Sequence, residues 1–185
     1  MKIILISGKA EHGKTTCGKY LKEQLENQGK KVLVTRFARY LKMYVQDVYG
    51  WDGINKDEFY RNKLQILGTD IIKEKLNFKA FHAKRLVEDV EIYKELGVDV
   101  VIIDDCRFRD EIHTFKAMFP NDCITIRVNR YDFKSNLTED QLKHKSECDL
   151  DKFNFDYVIH TKGYDCLQQL YDETDRVLGK VLEYR

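Results

Sequence analysis

Residues 8 to 15 read Gly8-Lys9-Ala10-Glu11-His12-Gly13-Lys14-Thr15, and this stretch begins two residues after the apolar run Ile3-Ile4-Leu5-Ile6. It matches G-x-x-x-x-G-K-[ST], the phosphate-binding loop of enzymes that use nucleoside triphosphates. The two glycines allow backbone turns that a Cβ would obstruct, so consecutive N–H groups can converge on phosphate oxygens. The lysine supplies a charge for the β- and γ-phosphates, and the threonine hydroxyl is placed to ligate Mg²⁺. The sequence therefore predicts that ATP and Mg²⁺ bind at Gly8, Lys9, Ala10, Glu11, His12, Gly13, Lys14, Thr15 and Thr16.

The segments around this loop predict alternating strands and helices. Short apolar runs predict strands at Lys2 to Ser7, Lys31 to Phe37, Asp99 to Asp105, Cys123 to Val128 and Phe155 to His160. Helical periodicity predicts helices at Lys14 to Gln28, Arg39 to Tyr49, Tyr60 to Leu76, Ala80 to Leu96, Arg109 to Phe119 and Tyr164 to Leu182. Strand–helix–strand units form parallel sheets, so we expect an α/β fold with a five-stranded parallel sheet flanked by helices. The charged segment 129–154 is expected to be mobile, with one short helix.

The composition excludes several classes of protein. The chain has 185 residues, and its 32 Lys and Arg nearly balance 31 Asp and Glu, which gives a net charge of +1. Nucleic-acid binding needs a clustered positive excess, so we expect no nucleic-acid partner. No apolar run approaches the roughly 18 residues of a membrane span, and no signal-peptide pattern is present. Five cysteines without a C-x-x-C pair indicate reduced thiols, so we expect a cytoplasmic protein. Its oligomeric state, a monomer or a homodimer, does not follow from the sequence.

Two carboxylates end the third predicted strand. Asp104 and Asp105 follow the apolar residues Val100 to Ile103, as does the strand-end aspartate that holds Mg²⁺ in phosphoryl-transfer enzymes. At least one of the two is expected to serve the metal, and Asp105 is the candidate. The alternative is an acidic turn that caps the strand.

Arginines gather where a phosphate site would need them, most of them near the ends of predicted strands. They are Arg36, Arg39, Arg61, Arg107, Arg109, Arg127 and Arg130. Phosphoryl transfer depends on positioning and on charge stabilisation, to which guanidinium groups are suited. Open α/β sheets bind ligands at the carboxyl ends of their strands, which favours a functional role for the set over scattered surface charges.

Several stretches together resemble the phage-type deoxynucleoside monophosphate kinases, and the resemblance runs from Lys2 to about Gly163. It is carried by the phosphate loop, Phe37-Ala38-x-x-Leu41-Lys42, Arg61-x-x-Leu64-Gln65-x-Leu67-Gly68-Thr69-Asp70, Asp105-x-Arg107-Phe108-x-x-Glu111, Arg127-Val128-x-Arg130, His144-x-Ser146-Glu147, Leu150-Asp151 and Asp156-x-x-Ile159. Two positions depart from the family pattern. Thr15 stands where the family often has Asp, and Arg109-Asp110 stands where it has Pro-Asn.

The resemblance implies transfer of the γ-phosphoryl group of ATP to a deoxynucleoside 5′-monophosphate. It also implies a P-loop kinase fold in one domain, 1–185, with a helical acceptor-binding region at 37–96 and a lid at 129–154. The residues implied on the acceptor side are Lys42, Arg61, Gln65, Gly68 and Thr69. Those implied at the transferring group are Lys14, Arg107, Arg127 and Arg130. A phosphate oxygen is already a nucleophile, so no general base is required.

Two other classes compete with this interpretation. Another P-loop kinase of a small metabolite, such as dephospho-coenzyme A kinase, shares the loop and a helical excursion, but the run Gln65 to Thr69 argues against it. A nucleotide-hydrolysing ATPase or switch would use a strand-end pair such as Asp104-Asp105 to activate water. A GTP switch should carry Asn-Lys-x-Asp after the fourth strand, and this sequence does not. Which bases are accepted stays open.

Overall fold

The structure is a computed structural model that describes residues 1–55 and 57–183. Five strands form one parallel sheet in the order β2-β3-β1-β4-β5. Their bounds are β1 Lys2–Ser7, β2 Val32–Thr35, β3 Val100–Cys106, β4 Cys123–Tyr131 and β5 Tyr157–Lys162. The predicted α/β fold with a five-stranded parallel sheet is confirmed.

Helices connect the strands and cover both faces of the sheet. Their bounds are α1 Lys14–Asn27, α2 Arg39–Tyr49, α3 Glu58–Ile66, α4 Phe81–Glu95, α5 Arg109–Met118, α6 Glu139–Lys143, α7 Lys145–Cys148 and α8 Leu167–Glu183, with a π-helix at Leu67–Lys75. No helix in the described ranges is both long enough and apolar enough to cross a membrane. All five cysteines are free thiols.

The period-two alternation of β1 explains why the sheet needs two layers of helices. Ile3 and Leu5 point to the face covered by α4 and α5, where they pack in a cluster with Leu86 and Phe115. Ile4 and Ile6 point to the opposite face, which α1 and α8 cover. A strand that is apolar on both sides is typical of a central strand in a parallel sheet. The phosphate loop is therefore placed at the middle of the sheet, at its carboxyl edge.

The register brings the ends of three strands together at that edge. Ser7, the last residue of β1, is aligned with Cys106 on one side and with Arg127 on the other. Residues that follow β3 therefore lie beside the phosphate loop. β4 continues four residues beyond Arg127 to Tyr131 and stays paired with β5.

The predicted helix Tyr60 to Leu76 is divided into α3 and a nine-residue π-helix. Its wider turn begins where the chain passes closely over α2: a Cβ on Gly68 would lie 3.0 Å from Leu41 Cδ1. Single π turns inside helices are frequent at functional sites because they reorient the side chains that follow.

The segment 129–154, which we call the lid segment, contains two short helices where the sequence predicted one. His144 separates them, with an extended backbone (ψ 143°), and its side chain accepts the Ser146 N–H at the start of α7. The first three residues of the segment belong to β4.

Candidate active site

The phosphate loop connects β1 to α1 and is shaped by its two glycines. A Cβ on Gly8 would lie 2.5 Å from the Val128 carbonyl oxygen, so no larger residue fits there. Gly13 adopts a left-handed conformation (φ 94°) immediately before α1, and no side chain caps this helix. The free N–H groups of its first turn, together with the helix dipole, form an anion-binding end.

Lys14 is folded over the loop and buried. Its Nζ donates to the Lys9 carbonyl oxygen at 2.6 Å, and the residue is 8% exposed. Burial lowers the pKa of Lys14 to about 7, and the positive charge of Arg107 adds to this effect, whereas the carboxylates of Glu147 and Asp105 oppose it. A phosphate group at the loop would favour the charged ammonium, as its position in the motif predicts.

Three consecutive loop residues hold the lid segment. Lys9 Nζ lies 3.2 Å from Asp151 Oδ2, and the Ala10 N–H donates to Glu147 Oε2 at 2.8 Å. The Glu11 carboxylate accepts the Asn136 N–H at 3.0 Å. The lid segment is therefore closed on the loop.

Glu147 makes the second of these three contacts, the one with the Ala10 N–H. Its second oxygen, Oε1, pairs with the Arg107 guanidinium, and the residue is 8% exposed. One carboxylate thus engages both a loop N–H and the arginine that follows β3. These are groups of the kind that bind phosphoryl oxygens, so a negative group of the protein stands where a phosphate would be stabilised.

The adjacent aspartates at the end of β3 have different partners. Asp104 is buried and accepts two hydrogen bonds from Arg36, from Nε at 2.7 Å and from Nη2 at 3.0 Å. Asp105 accepts the backbone N–H groups of Phe37 at 2.7 Å and Ala38 at 3.0 Å, just before α2. Burial and the neighbouring Asp104 charge raise the pKa of Asp105. Of the two, only Asp105 lines the cavity described below.

The donor atoms of the candidate metal ligands, Thr15 and Asp105, are of the kind that suits a partly hydrated Mg²⁺. The Thr15 side chain is exposed and has no hydrogen-bond partner among the described residues. Each Asp105 oxygen accepts one N–H, and a carboxylate oxygen has a further lone pair for a metal or its water. Mg²⁺ is commonly held by one or two protein oxygens and by substrate phosphates, so two oxygen ligands suit this metal. Within residues 1–55 and 57–183, no group of three or more His, Cys, Asp or Glu is arranged as a metal cluster.

A cavity of about 250 Å³ opens beside the loop, between the end of β3 and the helices of the region 37–96. It brings together four of the five predicted acceptor residues, Arg61, Gln65, Gly68 and Thr69. Asp105, Arg107 and the loop residue Ala10 also line this cavity. The fifth residue, Lys42, does not line this cavity; its Nζ lies 5.7 Å from the centroid of the Trp51 ring.

Arg61 and Arg107 are the two arginines of this cavity. Arg61 is exposed and has no ion pair within the described residues, and its charge acts across the mouth of the cavity on Glu11 of the loop. Arg107 is held by Glu147 and by the Ser146 carbonyl oxygen at 3.3 Å. A phosphate-bearing ligand in the cavity would therefore meet one unpaired arginine and one that is paired with a displaceable carboxylate.

Arg127 and Arg130 lie outside this cavity. Arg127, 8% exposed, donates to Ser7 Oγ at 3.1 Å and to Asp151 Oδ1 at 3.0 Å, which ties β1 to the end of the lid segment. Arg130 donates to the carbonyl oxygens of Gly163 at 2.8 Å and Tyr164 at 2.7 Å. Both guanidinium groups make contacts that position loops. Arg127 lies in the predicted part of β4, and Arg130 lies in the three residues by which β4 extends beyond the prediction.

His12 also makes a structural contact. Its Nδ1 accepts the backbone N–H of Arg130 at 3.1 Å, which turns the ring toward β4. Burial and the nearby Lys14 charge lower the pKa of His12. The neutral ring therefore joins the phosphate loop to β4.

The far wall of the cavity contains residues that sequence reasoning did not single out. Lys73, on the π-helix, and His82, in the first turn of α4, both line it. Glu111 is buried beside them and accepts the N–H groups of Arg107 at 2.7 Å and Phe108 at 3.0 Å. Burial raises the pKa of Glu111 to about 7. Nothing in the local sequence distinguishes Lys73 or His82 from surface residues, since their placement depends on the π-helix and on helix packing.

No family model matches the sequence, and no curated protein matches it at significant similarity. Solved kinase structures do share its fold over nearly the whole chain. An APS kinase from Mycobacterium tuberculosis, in complex with AMPPNP and APS, is 11% identical, with a TM-score of 0.55 over 98% of this chain and 97% of that one. A shikimate kinase from Bacteroides thetaiotaomicron is 17% identical, with a TM-score of 0.54 over 98% of both chains. A sugar kinase from Janibacter sp. HTCC2649 is 12% identical, with a TM-score of 0.56 over 100% of this chain and 95% of that one. The chain therefore has the P-loop kinase fold.

Proposed function

We propose that this protein transfers the γ-phosphoryl group of ATP to the phosphate of a deoxynucleoside 5′-monophosphate and releases the diphosphate. The observation that carries the proposal is that Arg61, Gln65, Gly68 and Thr69 line one cavity together with Arg107, beside the phosphate loop. The P-loop kinase fold supports the ATP side, and the resemblance of the run Arg61 to Asp70 to phage-type kinases supports the acceptor side.

On the ATP side, the loop N–H groups and Lys14 would bind the β- and γ-phosphates, and the end of α1 would add its dipole. One of the three Lys14 donors is used by the Lys9 carbonyl oxygen, and the other two are available to phosphate oxygens. Thr15 and Asp105 would hold Mg²⁺, which supplies positive charge between the phosphates when it is bound.

On the acceptor side, Arg61 and Arg107 are the cations available to the monophosphate. A phosphate oxygen attacks the γ-phosphorus in line with the leaving oxygen of ADP, and negative charge is redistributed over the oxygens between the two substrates. Arg107 lines the cavity next to the loop residue Ala10, so its guanidinium could follow that charge.

Closure of the lid segment would exclude water from the reaction. Its contacts with Lys9, Ala10 and Glu11 already cover the loop. ATP binding requires Glu147 to release the Ala10 N–H and Arg107, because the γ-phosphate and this carboxylate are both negative and compete for the same donors. Exclusion of water is what separates transfer to an acceptor from hydrolysis.

A kinase of a different small metabolite is the main competitor. Kinases that act on a hydroxyl group need a base for the hydroxyl proton, and Asp105 would be the nearest carboxylate to serve. Both of its oxygens already accept backbone N–H groups, so only their remaining lone pairs could receive a hydroxyl proton. The unpaired Arg61 in the cavity wall favours an acceptor that carries a phosphate.

The test is ADP release from ATP and Mg²⁺ with a panel of deoxynucleoside and ribonucleoside monophosphates, with dephospho-coenzyme A and shikimate as non-nucleotide acceptors. We expect at least one deoxynucleoside monophosphate to raise ADP release well above the acceptor-free rate. Stimulation by dephospho-coenzyme A or shikimate alone would overturn the proposal.

A further inference from the structure

His144 separates the two helices of the lid segment, α6 and α7, and its side chain lines the acceptor cavity. Its Nδ1 accepts the Ser146 N–H at 3.2 Å and lies 2.9 Å from Ser146 Oγ. A ring nitrogen that accepts an N–H carries no proton of its own, so this hydrogen bond assigns the imidazole proton to Nε2. The contact with Ser146 therefore fixes both the tautomer and the orientation of the ring.

The second ring nitrogen of His144 is available to a ligand. Within the residues that the structure describes, Nε2 has no hydrogen-bond partner. A half-turn of the ring would take Nδ1 away from the backbone N–H that it caps, so Nε2 stays on the opposite side of the ring from Ser146. The lid segment thus contributes a fixed N–H donor on a residue of the cavity wall.

The turn that contains His144 contacts the arginine that we assign to the acceptor phosphate. Arg107 Nη1 donates to the Ser146 carbonyl oxygen at 3.3 Å, two residues after His144. The Glu147 N–H donates to the His144 carbonyl oxygen at 2.8 Å, and the Glu147 carboxylate pairs with Arg107. His144, Ser146 and Glu147 therefore form one turn against this guanidinium, and a phosphate bound at Arg107 would lie beside the histidine.

ATP binding removes one of the contacts that hold the lid segment. The γ-phosphate and Glu147 compete for the Ala10 N–H and Arg107, so the Glu147 side chain must turn away when ATP binds. The N–H of His144, in the same turn, is attracted by a phosphate oxygen rather than repelled. A contact between His144 and the acceptor phosphate would therefore replace the one that Glu147 gives up.

We propose that His144 Nε2 donates a hydrogen bond to an oxygen of the acceptor's phosphate. The inference rests on the proposed function and adds a substrate-binding residue of the lid segment to it. A hydrogen bond between a neutral donor and an ionised group contributes roughly tenfold to a hundredfold to affinity. The effect is therefore large enough to measure in the KM of the acceptor.

Two substitutions separate the two nitrogens of the ring. Asn places its Oδ1 near the position of Nδ1, where it can accept the Ser146 N–H as in other helix caps, but it has no group at the position of Nε2. Gln reaches the position of Nε2 with an N–H and leaves the Ser146 N–H without its acceptor. His144→Asn therefore removes the proposed contact and keeps the turn, whereas His144→Gln does the reverse. His113→Asn is the matched control, because His113 is exposed and lies outside the cavity.

The first measurement is steady-state kinetics with ATP, Mg²⁺ and the best deoxynucleoside monophosphate. We expect His144→Asn to raise the KM of the monophosphate about tenfold or more and to change the KM of ATP less than about twofold. His144→Gln should keep the KM of the monophosphate within about threefold of the wild type, although loss of the cap lowers its melting temperature. A purely structural role of His144 predicts the opposite order of the two variants. His113→Asn should change neither KM.

The second measurement identifies the part of the acceptor that His144 contacts. The monophosphate and its parent deoxynucleoside, which lacks the phosphate, are titrated calorimetrically into the wild type and His144→Asn with a non-hydrolysable ATP analogue bound. The substitution should weaken binding of the monophosphate about tenfold and leave binding of the deoxynucleoside unchanged.

Four outcomes would overturn the inference. An unchanged monophosphate KM in His144→Asn would mean that the contact does not exist. Equal weakening of the monophosphate and the deoxynucleoside would place the N–H at the sugar or the base. A rise in the KM of ATP alone would assign it to the γ-phosphate. If the wild type phosphorylates no monophosphate, the proposed function fails as well, and this result is distinct from the other three because they require turnover by the wild type.

Discussion

The phosphate loop and the far wall of the acceptor cavity lie in one site, yet their polar groups are in opposite states. At the loop, Lys14 donates to the Lys9 carbonyl oxygen, and the Ala10 N–H and Arg107 are both held by Glu147. At the far wall, His82 and Lys73 have no hydrogen-bond partner among the described residues. A ligand at the loop exchanges one set of hydrogen bonds for another, whereas a ligand at the far wall gains bonds without breaking any. ATP binding at the loop would therefore be coupled to movement of the lid segment, whereas a ligand at the far wall would break none of the present hydrogen bonds.

The largest effect is expected from removal of the loop charge. Lys14→Met should lower kcat about 10³-fold, because the ammonium accompanies the γ-phosphoryl group into the transition state. Steady-state kinetics with ATP and the best acceptor measure this. Lys9→Met is the matched control, since Lys9 pairs with Asp151 at a half-exposed position; it should change kcat less than about tenfold. Near-wild-type turnover by a folded Lys14→Met protein would contradict the assignment of the loop.

Two arginines with different surroundings provide the next test. Arg107→Met should lower kcat about 10²-fold, because this guanidinium lies between the loop and the acceptor cavity. Arg130→Met should lower kcat at most a few-fold, because its guanidinium binds the Gly163 and Tyr164 carbonyl oxygens away from the cavity. Steady-state kinetics of both variants with ATP and the best acceptor measure the two losses of kcat. An equal loss of kcat in the two variants would indicate that Arg130 acts on the transferring phosphoryl group.

The pH dependence of ATP binding should reflect the protonation state of Lys14. Its pKa is about 7 in the free protein and 10.5 in an unperturbed lysine, so between these values the folded protein binds fewer protons than the unfolded chain. The stability that Lys14 contributes is therefore present above 10.5 and is lost as the pH falls toward 7. ATP phosphates favour the charged ammonium, so binding takes up a proton above pH 7, and affinity falls at most about tenfold per pH unit.

Calorimetry at pH 8 in two buffers of different ionisation enthalpy counts those protons. Uptake should be seen with the wild type and be absent in Lys14→Met. The absence of uptake in the wild type would mean that Lys14 is already charged in the free protein.

The smallest effect concerns the carboxylate at the loop. Glu147→Gln keeps the size of the side chain but removes the charge that competes with phosphate, so affinity for a non-hydrolysable ATP analogue should rise roughly fivefold to tenfold. Glu139→Gln, at an exposed position of the same lid segment, should not change it. Titration calorimetry measures both. A weaker affinity in Glu147→Gln would show that the carboxylate stays in place and supports the bound state.

The parts of the site that could be predicted are those whose signal is local in the sequence. The loop needs its glycines and lysine at fixed spacing, β1 needs a short apolar run, and the run Arg61 to Thr69 lies on consecutive helical turns, so these residues share one wall. The strand ends were harder to predict. Because residues alternate along β3, Asp104 turns to Arg36 and only Asp105 reaches the cavity.

The remaining features depend on contacts between distant residues. Glu147 belongs to the His144-x-Ser146-Glu147 motif of the resemblance, but the motif does not show what it contacts, and only the folded chain brings it to Ala10, 137 residues away. The π-helix has no signature that separates it from the predicted α-helix, yet it places Lys73 in the wall. The resemblance implied Arg127 and Arg130 at the transferring group, with Arg127 in the fourth strand and Arg130 beyond its predicted end at Val128. In the structure it continues to Tyr131 and keeps both in or beside the sheet.

Transfer of a labelled phosphoryl group tests the central claim most directly. The wild-type protein is incubated with Mg²⁺ and ATP labelled at the γ-phosphate, with and without the best deoxynucleoside monophosphate, and the labelled products are separated. The account predicts that the label appears in the deoxynucleoside diphosphate, and that little inorganic phosphate forms without acceptor because the lid segment excludes water. Label that appears in inorganic phosphate at a rate independent of the acceptor would contradict it and would identify a hydrolase.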